Sequence, residues 1–214
     1  MIAILDYQAG NQTSVRRALD HLGIPCVITA DPATLERADG VIFPGVGAAG
    51  QAMSYLREHG LDVLLSAIVA RSTPLLGICL GCQILLDSSE ENGGTLTLGL
   101  VPGICRRFDA ALREEDGTPV RIPHMGWNGL RIRGQSPLLE GLAATDQFYF
   151  VHSYFVEVAD DLVLAESHYG RDFCAVYGRD GLWATQFHPE KSGEPGLRIL
   201  HNFYTYSSER GEAC

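Results

Sequence analysis

The chain has 214 residues, a formal net charge of −10, 46% hydrophobic residues and 20% charged residues. That acidity argues against a general binder of nucleic-acid phosphates or of an anionic membrane surface, and no apolar stretch is long enough to span a bilayer. A globule of this length buries roughly 70% of the surface its unfolded chain exposes, so it needs neither disulfides nor a metal for stability. One domain over 1–206 with a frayed tail at 207–214 is expected, with no cofactor and no metal.

In chain order, Ile2 to Leu5 reads as a strand. No basic region precedes this apolar run, so it is not read as a leader, and a cytoplasmic location is expected. Val15, Ala18, Leu19 and Leu22 repeat at helical spacing. Cys26–Ile28 is a second strand, followed by a short helix from Pro32 through Leu35. Val41–Phe43 is a third strand. Residues 50–71 read as helical with a break near Gly60. Leu75–Ile78 is a fourth strand, and a helix begins at Gly81. Strands alternating with helices imply a mainly parallel sheet flanked by helices, an α/β fold.

The second half changes character. Ile104–Phe108, Leu130–Ile132, Phe148–Val151, Leu162–Glu166, Phe173–Tyr177 and Leu182–Phe187 are strand-like and closely spaced, which predicts added antiparallel pairs. A helix from Gly196 to Tyr206 closes the pattern. The six cysteines (26, 79, 82, 105, 174, 214) are irregularly spaced. They lack the paired CxxC of a four-cysteine zinc site and are expected to be reduced.

Leu75-Leu76-Gly77-Ile78-Cys79-Leu80-Gly81 carries the strongest chemical signal. An apolar strand runs into Gly-x-Cys-x-Gly and then a helix, the cysteine form of a nucleophile elbow. Side chains at 77 and 81 would collide with neighbouring backbone. The turn exposes the sulfur at the carboxyl end of a strand, and the start of the helix favours its thiolate. The amide of Leu80 points where an oxyanion would form. The bland alternative is a structural cysteine at a βα turn. A Cys79-x-x-Cys82 redox pair lacks the usual tryptophan and proline, and Cys82 should point into the core.

A free thiol of pKa ~8.5 is only about 3% ionised at neutral pH, so a nucleophilic cysteine gains from an imidazole that takes its proton. His188 follows a strand and opens His188-Pro189-Glu190. Pro189 restricts both neighbours, which allows Glu190 to accept from the far ring nitrogen. A surface His-Pro turn is the alternative. His124 and His152 also lie at strand ends, and spacing does not decide among the three. Phe43-Pro44-Gly45-Val46-Gly47 follows another strand, and its glycines allow a backbone amide to face a substrate carbonyl. A ligand-free βα turn would look the same.

Together PGVG at 44–47, GICLGCQ at 77–83 and FHPEKS at 187–192 resemble the class I glutamine amidotransferases, in order and over almost the whole chain. The resemblance implies the flavodoxin-like fold of that family, a Cys79–His188–Glu190 triad and L-glutamine as substrate. The oxyanion would be held by the amides of Leu80 and, after a peptide rearrangement, Val46. Gly47, Gln83, Glu91, Ser153 and Tyr154 match positions that hold glutamine. Without the resemblance, Glu91 reads as a solvated charge.

DYxxGN, PHMGWN at 123–128 and FVHSY at 150–154 are similar to the branch of the family that feeds ammonia to a (β/α)₈-barrel cyclase in histidine biosynthesis. A heterodimer with such a cyclase is implied. Asn11, Met125, Trp127, Tyr149, His152 and Lys191 match positions near that interface or its ammonia entrance. Read alone, Trp127 has a core tryptophan as its alternative reading, and Lys191 is a surface lysine. Cys82 stands where the family often has methionine, and Gln8-Ala9 replaces a more glycine-rich turn. A glutaminase serving another synthase, a non-catalytic module on the same fold and a general cysteine hydrolase are the rival readings.

Overall fold

The computed structural model describes residues 1–8 and 10–211. Strands β1 (Ile2–Leu5), β2 (Cys26–Thr29), β3 (Gly40–Gly45) and β4 (Leu75–Cys79) lie in the order β2-β1-β3-β4, all parallel. Along β1, Ile2 and Ile4 enter one hydrophobic core, while Ala3 and Leu5 enter a second on the opposite face. Successive side chains of a strand point to opposite faces, so covering both faces demands an unbroken apolar run rather than an alternating one. The coverings are α1 (Gln12–His21), α2 (Pro32–Glu36), α3 (Ala49–Glu58), α4 (Leu61–Ala70) and the single-turn α5 (Leu80–Ile84). Val15, Ala18 and Leu19 are the buried stripe of α1. Gly60 adopts φ 67° between α3 and α4, which fits the expected break: glycine enters that region without a Cβ clash.

The remaining strands are β5 (Ser88–Ser89), β6 (Thr95–Leu96), β7 (Gly103–Arg107), β8 (His124–Gly129), β9 (Arg131–Ile132), β10 (Gln147–His152), β11 (Tyr154–Val158), β12 (Val163–His168), β13 (Asp172–Arg179) and β14 (Leu182–Thr185). β14 joins β4 in parallel, and β13, β11 and β7 then extend the sheet antiparallel. β5 runs parallel to β7, with β6 antiparallel beyond it. β12 pairs with β13 and carries β9. The mainly parallel centre with added antiparallel strands therefore stands as the sequence predicts.

Four strands were not expected: the two-residue β5 and β6, and the longer β8 and β11. β8 (His-Met-Gly-Trp-Asn-Gly) has no β-branched residue and two glycines, a poor local strand former. It is extended because it pairs along its whole length with β10 in a ribbon separate from the main sheet. β11 continues the apolar run of β10 after Ser153, where the chain leaves the ribbon and enters the main sheet. The closing helix α6 (Gly193–Gly211) is longer than expected. Ser207, placed in the expected tail, is buried, with its hydroxyl donating to the Phe203 carbonyl at 2.7 Å. Residues 212–214, including Cys214, lie outside the described residues, as does Ala9. Among the described residues no helix is long and apolar enough to cross a membrane.

Candidate active site

Cys79 ends β4 with φ 54° and ψ −104°, a region that side-chain-bearing residues rarely occupy. Tight packing around the turn fixes this conformation. A Cβ added at Gly81 would collide with the Phe43 carbonyl, and one at Gly77 would lie 2.7 Å from Leu85. Gly81 is therefore a steric requirement against backbone, as the sequence implied, whereas at Gly77 the nearest atom is a side-chain methyl and the backbone lies at 3.1 Å. β14 runs beside β4, with Thr185 opposite Ile78. The residues that follow each strand thus emerge at the same edge of the sheet, and His188 comes to Cys79. Carboxyl ends of parallel strands are where such folds gather ligand groups.

His188 Nδ1 lies 2.8 Å from Glu190 Oε1, and both side chains are fully buried. The carboxylate accepts, so Nδ1 carries a proton. Nε2 is buried without a hydrogen-bond partner. Burial is the largest influence on this imidazole and lowers its pKa. The adjacent Cys79 and then Glu190 outweigh it and raise the value to about 10. The short turn Pro189–Lys191 brings Glu190 back under the ring. His188 is further held by its own amide donating to the Tyr149 carbonyl at 3.0 Å. The Ser192 hydroxyl donates to the His188 carbonyl at 2.6 Å and accepts from the Tyr149 amide at 3.0 Å. Ser192 carried no sequence signal of this role.

The rival histidines are otherwise engaged. His152 Nδ1 donates to the Tyr154 carbonyl at 2.7 Å, and its Nε2 lies 3.0 Å from His124 Nδ1, whose ring also reaches Asn128 Oδ1 through Nε2 at 3.2 Å. With both ring nitrogens committed, His152 has no free site for a thiol proton. Burial depresses it to about 3 and His124 to about 4.

A cavity of about 320 Å³ opens over the sulfur, bordered by Cys79, Leu80 and His188 and by Val46 and Gly47 of the PGVG turn. Gln83, Glu91, Ser153 and Tyr154 line it too, so all five residues matched to glutamine binding share one wall system. Val151 and Pro123 line it as well and were not singled out by sequence. The Gln83 amide donates to the Tyr154 carbonyl at 3.0 Å and to Gln186 Oε1 at 3.2 Å. Glu91 accepts from the Ala49 amide at 2.6 Å. It therefore caps α3, which has no cap of its own, in addition to presenting charge to the cavity. Among the described residues no cluster of three or more His, Cys, Asp or Glu is arranged to hold a metal ion.

The residues matched to a partner face divide into two sets. Trp127 is 55% exposed and Met125 62% exposed; the core tryptophan is instead Trp183. Trp127 stands opposite Tyr149 on the ribbon, their rings edge to face at 5.8 Å. Lys191 Nζ lies 6.0 Å from the Tyr149 ring. Asn11 and His152, by contrast, are buried. Asn11 Nδ2 donates at 3.2 Å to Glu190 Oε1, the same oxygen that holds His188.

The family model for glutamine amidotransferase class-I matches residues 3–206. The chain is 66% identical to the imidazole glycerol phosphate synthase subunit HisH of Desulfovibrio desulfuricans, over 96% of this chain and 94% of that protein. It is 62% identical to the protein of the same name from Nitratidesulfovibrio vulgaris, over the full length of both. Among solved structures, a glutamine amidotransferase from Thermotoga maritima superposes with a TM-score of 0.61 at 15% identity, covering 100% of this chain and 85% of that one. That likeness is one of fold.

Proposed function

Because this chain belongs to the class I glutamine amidotransferases, we propose that it is the glutaminase subunit of an imidazole glycerol phosphate synthase, as its relatives are named. It is an enzyme that takes ammonia from the side chain of L-glutamine. The observation that carries the chemistry is the state of His188: one nitrogen is locked to Glu190 and the other is unpartnered beside Cys79 at the cavity wall.

In this reading the Cys79 thiolate attacks the side-chain carbonyl carbon of glutamine. The carbonyl oxygen takes the negative charge and is met by the amides of Leu80 and, after its peptide turns, Val46. The imidazolium of His188 gives its proton to the departing nitrogen, and the C–N bond breaks to leave ammonia and a γ-glutamyl thioester. Water then attacks the thioester with His188 as base, releasing glutamate and the thiolate. Glu190 holds the ring in the tautomer that both steps need. Gly47, Gln83, Ser153 and Tyr154 shape the glutamine site, and the Glu91 carboxylate meets the substrate's ammonium group.

The partner is a (β/α)₈-barrel cyclase, joined as a heterodimer in the cytoplasm. The exposed Trp127 and Met125, with Tyr149 and Lys191, supply a docking surface of the kind that interfaces favour. Asn11 and His152 belong to the inner side of that contact and to the ammonia entrance. Glutamine hydrolysis measured with and without the cyclase and its nucleotide tests the whole reading. Strong stimulation is expected, and ammonia release that the cyclase and nucleotide leave unchanged would overturn the partner assignment.

A further inference from the structure

Tyr7 carries a hydroxyl that the chemistry above does not use. The residue is 4% exposed, and its Oη is buried without a hydrogen-bond partner. Burial, reinforced by the nearby Cys79, holds the phenol above its ordinary pKa, so it remains a neutral O–H donor. A buried donor left unpaired calls for a reason.

Its position supplies one. The ring packs edge-on against Phe43 at 5.3 Å, which carries the hydroxyl to the end of β3. A Cβ added at Gly45 would collide with Oη, so the hydroxyl rests against Gly45 itself. The next residue, Val46, borders two cavities: the catalytic one and a smaller one of about 130 Å³ that Tyr7 lines. The Gly45 carbonyl and the Val46 amide belong to one rigid peptide plane and turn together. When the amide swings toward the catalytic cavity, the carbonyl swings the other way. Turning that plane changes ψ of Gly45, which has no Cβ to obstruct it, and φ of Val46, while Gly47, at φ 96°, gives the chain beyond Val46 room to readjust.

We propose that Tyr7 is a positioning residue whose hydroxyl donates to the Gly45 carbonyl once the Val46 amide has turned into the oxyanion position, and so stabilises the competent turn. The inference rests on Val46 being an oxyanion donor. Tyr7 is not among the residues that line the catalytic cavity.

Tyr7→Phe removes only the unpaired oxygen, so the resting fold loses no bond. Assayed in the complex with the cyclase, kcat for glutamine should fall about tenfold, the worth of one hydrogen bond of ordinary to high strength, with KM unchanged and Tm unchanged or raised. The affinity for glutamate γ-semialdehyde, whose adduct with Cys79 carries the oxyanion, should weaken by the same factor. An unchanged kcat and aldehyde affinity, or a fall in kcat matched by a fall in Tm, would overturn the proposal. Val46→Pro separates it from its premise. If that variant keeps full kcat, the oxyanion assignment fails and takes the Tyr7 proposal with it. If it loses activity while Tyr7→Phe does not, only the role of Tyr7 falls.

Discussion

His188 and Glu190 face each other across 2.8 Å with no solvent on either side chain, so the carboxylate fixes both the direction and the protonation of the ring. Glu190→Gln is nearly isosteric but lacks the charge and can present an N–H to the ring. Glutamine hydrolysis should fall by about 10³–10⁴-fold, the scale seen when a triad carboxylate becomes an amide. Steady-state kinetics with unchanged near-UV circular dichroism would separate this from misfolding, and a loss under tenfold would deny Glu190 its role.

The His188 imidazole should titrate near 10 rather than near 6.5, since Cys79 and Glu190 outweigh the effect of burial. A folded pKa above the unfolded one means that the linked stability is fully present below about 6.5 and is lost as pH rises through about 10. In Cys79→Ala, one of the two sources of that elevation is gone. NMR titration of the ring should then show a lower pKa, and glutamine hydrolysis should vanish. A ring that still titrates near 10 in this variant would show that the sulfur does not hold the proton.

Acid should act through the other two histidines. His152 and His124 are held neutral by burial, at about 3 and about 4, whereas the unfolded chain protonates its histidines near 6.5. The unfolded state therefore binds more protons, and stability should fall as pH drops from about 6.5 toward 4. Urea unfolding across that range should show the slope, and His124→Gln together with His152→Gln should flatten it.

Gly81→Ala places a methyl group against the Phe43 carbonyl, which is backbone and cannot turn aside. A loss of about 3 kcal/mol or more is expected, or about 6–12 °C in Tm for a chain of this size. A calorimetric Tm within a degree or two of wild type would show that the elbow is looser than its contacts imply.

Glu91→Gln keeps an oxygen for the Ala49 amide but removes the charge that, in the proposed site, meets the substrate's ammonium group. KM for glutamine should rise about tenfold or more, the scale of a charge-assisted bond, with little change in Tm. Glu91→Ala should lower Tm as well, because α3 then loses its cap. Equal KM values for wild type and Glu91→Gln would remove Glu91 from the glutamine site.

The parts of this molecule that local physics dictates were readable in the sequence. The two-sided burial of β1, β3 and β4 demands unbroken apolar runs, and the collision with the Phe43 carbonyl at Gly81 demands glycine. The elbow was therefore legible from a few adjacent residues. The choice of base was not. What disqualifies His152 is a bond to His124, 28 positions away, and such partners leave no trace in spacing. Glu91 looked like a solvated charge because the amide it caps lies 42 positions earlier. β8 was missed for the same reason: its own residues disfavour extension, and only β10 holds it straight. The placement of Asn11 on Glu190 is likewise a tertiary fact, reached across 179 positions.

β10 touches both halves of the reaction centre: its Val151 carbonyl meets the Cys79 sulfur at 3.9 Å, and its Tyr149 carbonyl holds the His188 amide. The strand's outward side chains belong to the ribbon that carries Trp127. Of the residues proposed to meet the partner, Tyr149 lies on this six-residue strand and stands opposite Trp127. In the proposed complex a substitution at Tyr149 therefore bears on docking through its side chain and on the placement of His188 through its carbonyl.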